Sequence, residues 1–521
     1  MIDLSTLIYQ LPDALFANVF IIFLIFFYVY LFLNYKLFSA IFKTLRRNKL
    51  FLLIFIMMFI FSFINGWHSK LYYDEPENVI NSLKIFRHLT LTDPIIPRPL
   101  GFSTLLSFFN TDSYFYSQLL GRIISFLSTF FSAVLLFMIF RKFNVDKKLS
   151  YLFVFLFSIA PYNLFYLTLN KPESLAVFFL LFFIYLFQVY VFDKRKDLLW
   201  FLYFLSLVLP LTRYELIVVS FSFFLFILFK FKRKIFYWFP YLIIMFFIFL
   251  GSVIIFSGVN SIFKGPKIIR FDLLNFLHSF VIKMFRTPWF VFFILFFIFI
   301  FYSLKKSKGK TQKYFYLFIF VSFILLSLIY SAYDFSYEQR YQKLLYPFLF
   351  IGLSVIRIKN PNLNSKVLYS LIFVFGILFM IFSLNAYSSI KDINLKNVFT
   401  DSALIDIQKN RSCFSNAILY SPVYFPKALI EDLNFIKVYS AISSYQELES
   451  KYNEKYQNLT YLYLIEYFTD AIPGLIPKEV LSLRGSKENY DKLTKFCPGL
   501  SDETKSFLIY LDKPLSQYFK K

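Results

Sequence analysis

Long uninterrupted runs of apolar residues restrict this sequence to folds that cross a membrane. A run of about 17–25 apolar residues matches the thickness of a hydrocarbon core, and the chain contains about twelve such runs. They lie near residues 16–35, 50–66, 116–140, 149–169, 174–192, 198–212, 214–229, 236–257, 287–304, 314–331, 342–357 and 367–386. With 58% hydrophobic residues over 521 positions, the composition also lies outside the range of soluble domains. We therefore expect an all-α polytopic membrane protein.

Basic residues gather in alternate loops between these runs. Arg141 and Lys142 follow the third run, for example, and residues 194–196 (Lys-Arg-Lys) follow the fifth. Because short cytoplasmic loops are enriched in Lys and Arg, these loops are predicted to be cytoplasmic. The N-terminus, the loop 67–115 and everything after about residue 387 then face the outer or lumenal side. The net charge of +24 is thus mainly a topology signal, and we expect no nucleic-acid partner.

The composition becomes that of an ordinary soluble domain from about residue 388. Residues 417–425, 434–440 and 459–467 are typical of strands, and residues 443–456 are typical of a helix. This alternation predicts a small extracytoplasmic α/β domain. Three domains follow: 1–49, an extra N-terminal transmembrane helix with a basic cytoplasmic loop; 50–386, the transmembrane catalytic domain; and 387–521, the outer C-terminal domain.

Two cysteines, Cys413 and Cys497, both lie in this outer domain. They can pair if the domain faces an oxidising compartment, but two free thiols fit the sequence equally well. Asn410 begins an Asn-Arg-Ser glycosylation triplet, which matters only in a glycosylating compartment.

Charged side chains gather at the predicted outer ends of the apolar runs. The candidates for a site there are Asp74, Glu75, Arg98, Lys171, Arg213 and Arg340. A carboxylate pair surrounded by Arg and Lys suits a reaction that takes a proton from a hydroxyl while a phosphate leaves. We therefore expect helix packing to bring these side chains to one cavity on the outer face.

The first outer loop opens with Asp74-Glu75 directly after an apolar run and continues into a helix-like segment, Val79 to Phe86, with interfacial spacing. This pattern resembles the GT-C membrane glycosyltransferases, in particular the protein O-mannosyltransferases and the aminoarabinose transferases. The segment 337–355, with Arg340-Tyr341 ahead of a Pro-containing apolar run, is similar to a segment of the same enzymes. The resemblance covers roughly residues 50–386 and implies a GT-C-like transmembrane fold.

The resemblance also implies a function and roles for residues. The donor would be a sugar on polyprenyl or dolichyl phosphate, and the acceptor a glycan, lipid or protein at the outer face. Asp74 matches the acid that deprotonates the acceptor, Glu75 its partner, and Arg340 a cation beside the lipid phosphate. Lys171, Arg213 and Arg98 join the phosphate-binding set by topology alone, since they match no family motif.

The sequence departs from the family pattern in two respects. An additional apolar run at 16–35 precedes the run that leads to Asp74, and no second acidic pair occurs near the later outer loops. The second departure leaves a divalent metal without support, so we expect neither a required metal nor another cofactor. We expect the protein in the cell membrane of a prokaryote, with the endoplasmic reticulum membrane as the alternative.

Two other function classes compete with a glycosyltransferase. A transporter or lipid flippase with a non-catalytic outer domain would also fill a membrane with apolar helices. Ion-coupled transporters, however, usually place acids or bases inside their spans, and Arg122 is the one clear charge there. A scaffold protein whose outer domain binds a partner is the third alternative.

Overall fold

The computed structural model describes most of the chain, in segments. These are residues 4–34, 38–64, 99–109, 114–167, 169–231, 289–307, 309–332, 343–357, 374–386, 409–421, 434–437, 459–464 and 478–518, with short stretches at 78–79, 81–83, 85, 240–241, 243–248, 250, 406–407 and 449. The chain divides into two compact units. The first comprises Met1–Asn65, Asn81–Thr111 and Leu120–Ser388, and the second comprises Gly66–Ile80, Asp112–Leu119 and Ser389–Lys521.

The first unit is built from helices of apolar residues. Its described helices are α1 (Leu4–Leu33), α2 (Ser39–Arg47), α3 (Leu50–Ile64), α4 (Leu100–Ser107), α5 (Tyr114–Lys142), α6 (Lys147–Ser158), α7 (Pro161–Tyr166), α8 (Pro172–Phe192), α9 (Leu198–Thr212), α10 (Ile217–Phe231), α11 (Trp289–Lys306), α12 (Lys310–Ala332), α13 (Tyr346–Gly352) and α14 (Val374–Ala386). The first six residues of α5 belong to the second unit.

Four of the described helices have the length and composition to cross a membrane: α5, α8, α11 and α12. Shorter apolar stretches of 10–17 residues occur in α1, α3, α9 and α14, and in α13 together with the 3-10 turn that follows it, in the part of the chain that the structure describes. The apolar helical character of the first unit is therefore confirmed, whereas the number of about twelve spans stays a prediction.

The predicted run 149–169 is not one continuous helix. α6 ends at Ser158, and α7 begins at Pro161. Proline has no N–H to donate and disfavours a helical conformation in the residue before it, so it suits the start of a new helix. The Asn163 side-chain amide donates a 2.6 Å hydrogen bond to the Phe157 carbonyl, which the break leaves without its helical partner. The run is apolar throughout, but its helix is interrupted between Ser158 and Pro161.

A second break separates α9 from α10. Arg213 lies between them in an extended conformation (φ −153°, ψ 123°), and a 3-10 turn, Tyr214–Leu216, leads into α10. The two predicted runs 198–212 and 214–229 are thus two helices that meet at Arg213. α8 packs against α9, and α10 packs against α12, so this junction lies within the packed helices.

Aromatic side chains fill the space between these helices. Phe187 on α8, for example, lies 4.5 Å from Phe226 and 5.0 Å from Phe318, measured between ring centroids, with the rings edge to face. Such edge-to-face pairs are favoured by the ring quadrupole. The aromatic content of 23% is thus used for packing wherever the described helices meet.

The second unit contains a four-stranded sheet in the order β2-β1-β3-β4. Its strands are β1 (Ala417–Ser421), β2 (Asn434–Lys437), β3 (Thr460–Leu464) and β4 (Leu508–Leu511). β1 pairs in parallel with β2 and β3, and β3 pairs antiparallel with β4. Helices α15 (Lys478–Ser482), α16 (Lys487–Phe496) and α17 (Asp502–Ser506) lie between β3 and β4 in the chain. The predicted α/β character of this region is confirmed. Of the predicted helix 443–456, only Glu449 belongs to the described residues, and it is helical.

A disulfide joins Cys413 to Cys497, with 5.7 Å between their Cα atoms. It links the 3-10 turn Arg411–Phe414, just ahead of β1, to the residue that follows α16. The sequence left pairing and free thiols as equal alternatives, and the structure has the pair. Beside it, the Asn410 side-chain amide donates to the Asp406 carbonyl (2.9 Å) and the Gly499 carbonyl (3.3 Å).

Candidate active site

The first residues of α8 belong to a buried polar site in the first unit. Pro172 occupies the first position of the helix, and Lys171 precedes it in an extended conformation. Proline suits this position because its missing N–H would have no helical partner there anyway. Lys171, Glu173 and Ser174 are nearly inaccessible, with 1%, 2% and 0% of their surface exposed. Three polar side chains are thus enclosed by protein within four residues.

The start of α8 packs against a stripe of small residues on α5. Gly121, Ser125 and Thr129 recur every four residues and so share one helix face. The Ser125 hydroxyl donates to the Lys171 carbonyl at 3.3 Å, and the Thr129 hydroxyl oxygen lies 3.2 Å from that of Ser174. A Cβ atom on Gly121 would lie 2.3 Å from Oδ1 of Asn170. The close packing of the Asn170 side chain on α5 therefore depends on the missing side chain at Gly121.

Lys343 reaches the same place from a distant part of the sequence. Its Nζ donates a 2.8 Å hydrogen bond to Oγ of Ser174 and lies 4.8 Å from the centre of the Tyr166 ring. Only 1% of the Lys343 surface is exposed. An ammonium over an aromatic face is stabilised by the ring quadrupole, so α7 and α8 together hold the head of this lysine.

Arg213 forms two ion pairs at the junction of α9 and α10. Its NH1 lies 3.0 Å from Oε1 of Glu173, and its NH2 lies 2.7 Å from Oε1 of Glu215. The Arg213 Nε also donates to Oε2 of Glu215 at 3.2 Å, which makes that contact bidentate. Bidentate pairing fixes the guanidinium in orientation as well as in position. Arg213 therefore ties the junction to the first turn of α8.

Glu173, Arg213 and Lys343 are buried charged side chains at the start of α8, and Glu215 beside Arg213 is partly buried. We call these four residues the charge cluster. Buried charge is costly unless it is balanced, and the carboxylates of Glu173 and Glu215 balance the Arg213 guanidinium. The dipole at the start of α8 favours negative charge beside this helix end.

The predicted site residues divide into two groups. Lys171 and Arg213 are both described and buried, and Arg213 contacts Glu173, two residues after Lys171. Asp74, Glu75, Arg98 and Arg340 lie outside the described residues, and their roles stay predictions.

Lys343, Glu173, Ser174 and the stripe on α5 are not among the candidates that the sequence analysis selected. The signal that could have revealed the stripe is the spacing of Gly121, Ser125 and Thr129 at every fourth position of a helix. Among the described residues, no group of three or more His, Cys, Asp and Glu side chains could hold a metal ion.

Solved structures of two enzymes are similar to this chain. The aminoarabinose transferase ArnT from Cupriavidus metallidurans matches in its apo state with a TM-score of 0.49 and 10% identity, covering 81% of this chain and 94% of that one. Its complex with undecaprenyl phosphate matches with a TM-score of 0.48, 10% identity and the same coverage. ArnT and the second enzyme, the oligosaccharyltransferase AglB, are both GT-C membrane glycosyltransferases.

The second enzyme is the oligosaccharyltransferase AglB from Archaeoglobus fulgidus, in complex with an inhibitory peptide and a dolichol-phosphate. It matches with a TM-score of 0.47 and 11% identity, covering 81% of this chain and 70% of that one. No protein-family model and no curated protein sequence matches this chain.

Proposed function

We propose that this protein is an integral-membrane glycosyltransferase that moves a sugar from a polyprenyl- or dolichyl-phosphate donor to an acceptor on the outer face. The observation that carries the proposal is the buried ammonium of Lys343, which Ser174 and the Tyr166 ring hold at the start of α8. A donor of this class leaves a lipid phosphate at membrane depth, and that phosphate needs buried cations. A transporter of small ions would need no such fixed positive site.

In the proposed reaction, the acceptor hydroxyl attacks the anomeric carbon of the donor sugar. The Asp74 carboxylate accepts the hydroxyl proton, with Glu75 as the alternative base. A new bond forms between the acceptor oxygen and the anomeric carbon, while the bond to the phosphate oxygen breaks and its electron pair leaves with the lipid phosphate. Cations beside this oxygen lower the activation barrier, because they bind it more tightly as its negative charge grows.

The contacts of the cluster distinguish two roles for its cations. The Arg213 guanidinium is already held by two carboxylates, so we assign it to organising the site. Lys343 and Lys171 are the described residues that we assign to the phosphate, and Arg340 and Arg98 stay predicted members of the same set. Lys343 suits this role because a hydroxyl and an aromatic ring hold its ammonium in place, and neither carries a formal charge.

The outer location of the C-terminal domain is part of the proposal. The pattern of basic loops predicts it, and the Cys413–Cys497 disulfide supports it. Disulfides persist in the periplasm, the endoplasmic reticulum lumen and outside the cell, whereas the cytosol keeps thiols reduced. Nucleotide sugars are synthesised in the cytosol, so a lipid-linked donor fits an outer location.

The test uses the purified full-length protein with undecaprenyl phosphate glucose and dolichyl phosphate mannose as donor probes. Release of the lipid phosphate is measured with water or added glycans as acceptors, and donor binding is measured in parallel. We expect Asp74→Asn to reduce release by at least a hundredfold while binding changes by less than about threefold. Glu77→Gln, three residues away, is the matched control and should retain release.

Two results would contradict the proposal. Full release by Asp74→Asn would remove Asp74 as the base. Failure of the unmodified protein to bind either lipid phosphate would overturn the donor class. Movement of an intact lipid-linked sugar across proteoliposomes, without cleavage, would instead favour the flippase alternative.

A further inference from the structure

Tyr28 on α1 lies at one end of a series of contacts that leads to the charge cluster. Its hydroxyl is buried and donates a 2.8 Å hydrogen bond to the carbonyl of Gly101 on α4. The Tyr28 ring packs edge-on against Phe108, with 6.1 Å between the ring centroids, and lies tilted against Phe179 of α8, with 6.3 Å between the centroids. The first helix is therefore fastened to α4 by a specific polar contact as well as by apolar packing.

The second contact in the series joins α4 to the end of α9. A Cβ atom on Gly101 would lie 2.9 Å from Cγ2 of Thr212 and 3.0 Å from the carbonyl oxygen of Leu211. Only glycine allows the two backbones to approach this closely. Thr212 directly precedes Arg213, so α4 supports the turn from which the guanidinium extends.

That turn has fewer internal hydrogen bonds than an ordinary helix end. Pro210 lies inside α9 and cannot donate to the carbonyl of Ser206, which accepts a hydrogen bond from the Ser220 hydroxyl instead. The carbonyl of Leu209 accepts from both the Thr212 hydroxyl (2.7 Å) and the Arg213 N–H (3.1 Å). External packing therefore contributes more than usual to the position of residues 210–213.

We propose that Tyr28 is a positioning residue for Arg213, acting through Gly101 and Thr212. The hydrogen bond to Gly101 holds α4 against the last turn of α9, and that turn aligns Arg213 between Glu173 and Glu215. The N-terminal helix α1 then helps to position a residue of the site. The proposal rests on the proposed function only where it concerns lipid phosphate, because the structural link between Tyr28 and Arg213 is testable by itself.

The first experiment tests the structural link in the full-length protein. Tyr28→Phe keeps the ring and removes only the hydroxyl. Tyr30→Phe, on the same helix with 42% of its surface exposed and its ring stacked on Phe201, is the matched control. Amide hydrogen exchange of peptides covering residues 209–216 should become about five- to tenfold faster in Tyr28→Phe, the loss expected for one net hydrogen bond, and should not change in Tyr30→Phe. Equal exchange in the two variants would overturn the proposal.

The second experiment measures binding of undecaprenyl phosphate. Tyr28→Phe should weaken binding about threefold to tenfold, with a melting temperature close to that of Tyr30→Phe. In an Arg213→Lys background, Tyr28→Phe should cause no further loss, because both changes disturb one group. Additive losses would overturn the proposal. If the unmodified protein binds no lipid phosphate, the proposed function fails, and hydrogen exchange alone decides whether Tyr28 positions Arg213.

Discussion

Lys343 donates a 2.8 Å hydrogen bond to the hydroxyl of Ser174, although 169 residues separate the two in sequence. The contact joins the segment ahead of α13 to the first turn of α8, at a point where both side chains are shielded from solvent. A buried ammonium is costly unless its environment balances the charge. The Tyr166 ring and the Ser174 hydroxyl supply part of that environment, and the proposed lipid phosphate would supply the opposite charge.

The role of Lys343 predicts a large effect on anion binding. Lys343→Met keeps the length of the side chain but removes its charge. We expect binding of undecaprenyl phosphate to weaken by about 10- to 100-fold, since a hydrogen bond to a charged group contributes roughly 1.5–3 kcal/mol. The control is Lys230→Met, whose ammonium lies 4.1 Å from the Tyr190 ring centre outside the cluster. Equal affinities of the two variants, measured by titration in detergent micelles, would remove Lys343 from the phosphate site.

Glu173 is predicted to matter for stability. Glu173→Gln removes one of the two carboxylates that pair with Arg213. Removing one partner of a buried ion pair usually costs about 3–5 kcal/mol, and Arg213 keeps Glu215, so we expect about 2–3 kcal/mol. Asp193→Asn is the control, because its pair with Lys142 is partly exposed and should contribute less than about 1 kcal/mol. Thermal denaturation in micelles compares the two, and equal midpoints would contradict the prediction.

The sequence offers candidate residues according to their position along the chain. Lys171 and Arg213 were selected because each lies at the end of an apolar run, and their roles stay predictions. Lys343 was not selected, because its partner Ser174 belongs to a distant helix and helix pairing cannot be read from one sequence. The stripe of Gly121, Ser125 and Thr129 was missed for the same reason, since small residues inside an apolar helix acquire meaning only when the facing helix is known.

The fold divides in a similar way. Apolar runs predicted helices, but the run through Pro161 concealed a break that apolar composition cannot reveal. Strands β1, β2 and β3 begin within a residue of the predicted positions. β4 has only four residues, Leu508–Leu511, and its stability comes from antiparallel pairing with β3, so its local signal is weak.

Gly121 supplies a prediction about packing. In Gly121→Ala, the new Cβ would overlap the Asn170 side chain, whose Oδ1 lies 2.3 Å from that position. We expect a loss of about 1–3 kcal/mol, as for other overpacked sites. Gly376→Ala is the matched control, since its Cβ would meet only Leu152 and Leu156 at 3.7 and 3.8 Å. Asn170→Ala should recover part of the loss in the Gly121→Ala background, and strictly additive effects on the melting temperature would contradict the proposed overlap.

The disulfide supplies a prediction about redox state. Because the chain has only 2 cysteines, the folded protein purified without reductant should react with no maleimide-polyethylene glycol, and the reduced, denatured protein should react twice. Cys413→Ser should lower the stability of the C-terminal domain by about 2–4 kcal/mol. Its free Cys497 should then be modified once after denaturation. Two modifications of the unreduced, denatured natural protein would contradict the pair.

The last prediction concerns the pH dependence of the same domain. Partial burial raises the pKa of Asp406, but hydrogen bonds from Thr504 and Ser501 outweigh this effect, so the pKa lies below the ordinary carboxyl value. These bonds reach Oδ2 from the Ser501 N–H (2.8 Å), the Ser501 hydroxyl (2.8 Å) and the Thr504 hydroxyl (2.6 Å). They connect the segment ahead of the disulfide to the start of α17.

A carboxyl group with a lowered pKa stabilises the folded state at every pH above its unfolded value, about 3.9. That contribution is lost as the pH falls through the lower, folded value. Asp406→Asn should therefore cost about 1–2 kcal/mol at pH 7, and the difference from the natural protein should shrink below about pH 4. Asp512→Asn is the control, because its side chain is 60% exposed in its pair with Lys492 and such pairs contribute little. Calorimetry of the full-length chain between pH 7 and pH 3 follows the transition of this domain, and a difference that grows as the pH falls would contradict the assignment of Asp406 as an ionised hydrogen-bond acceptor.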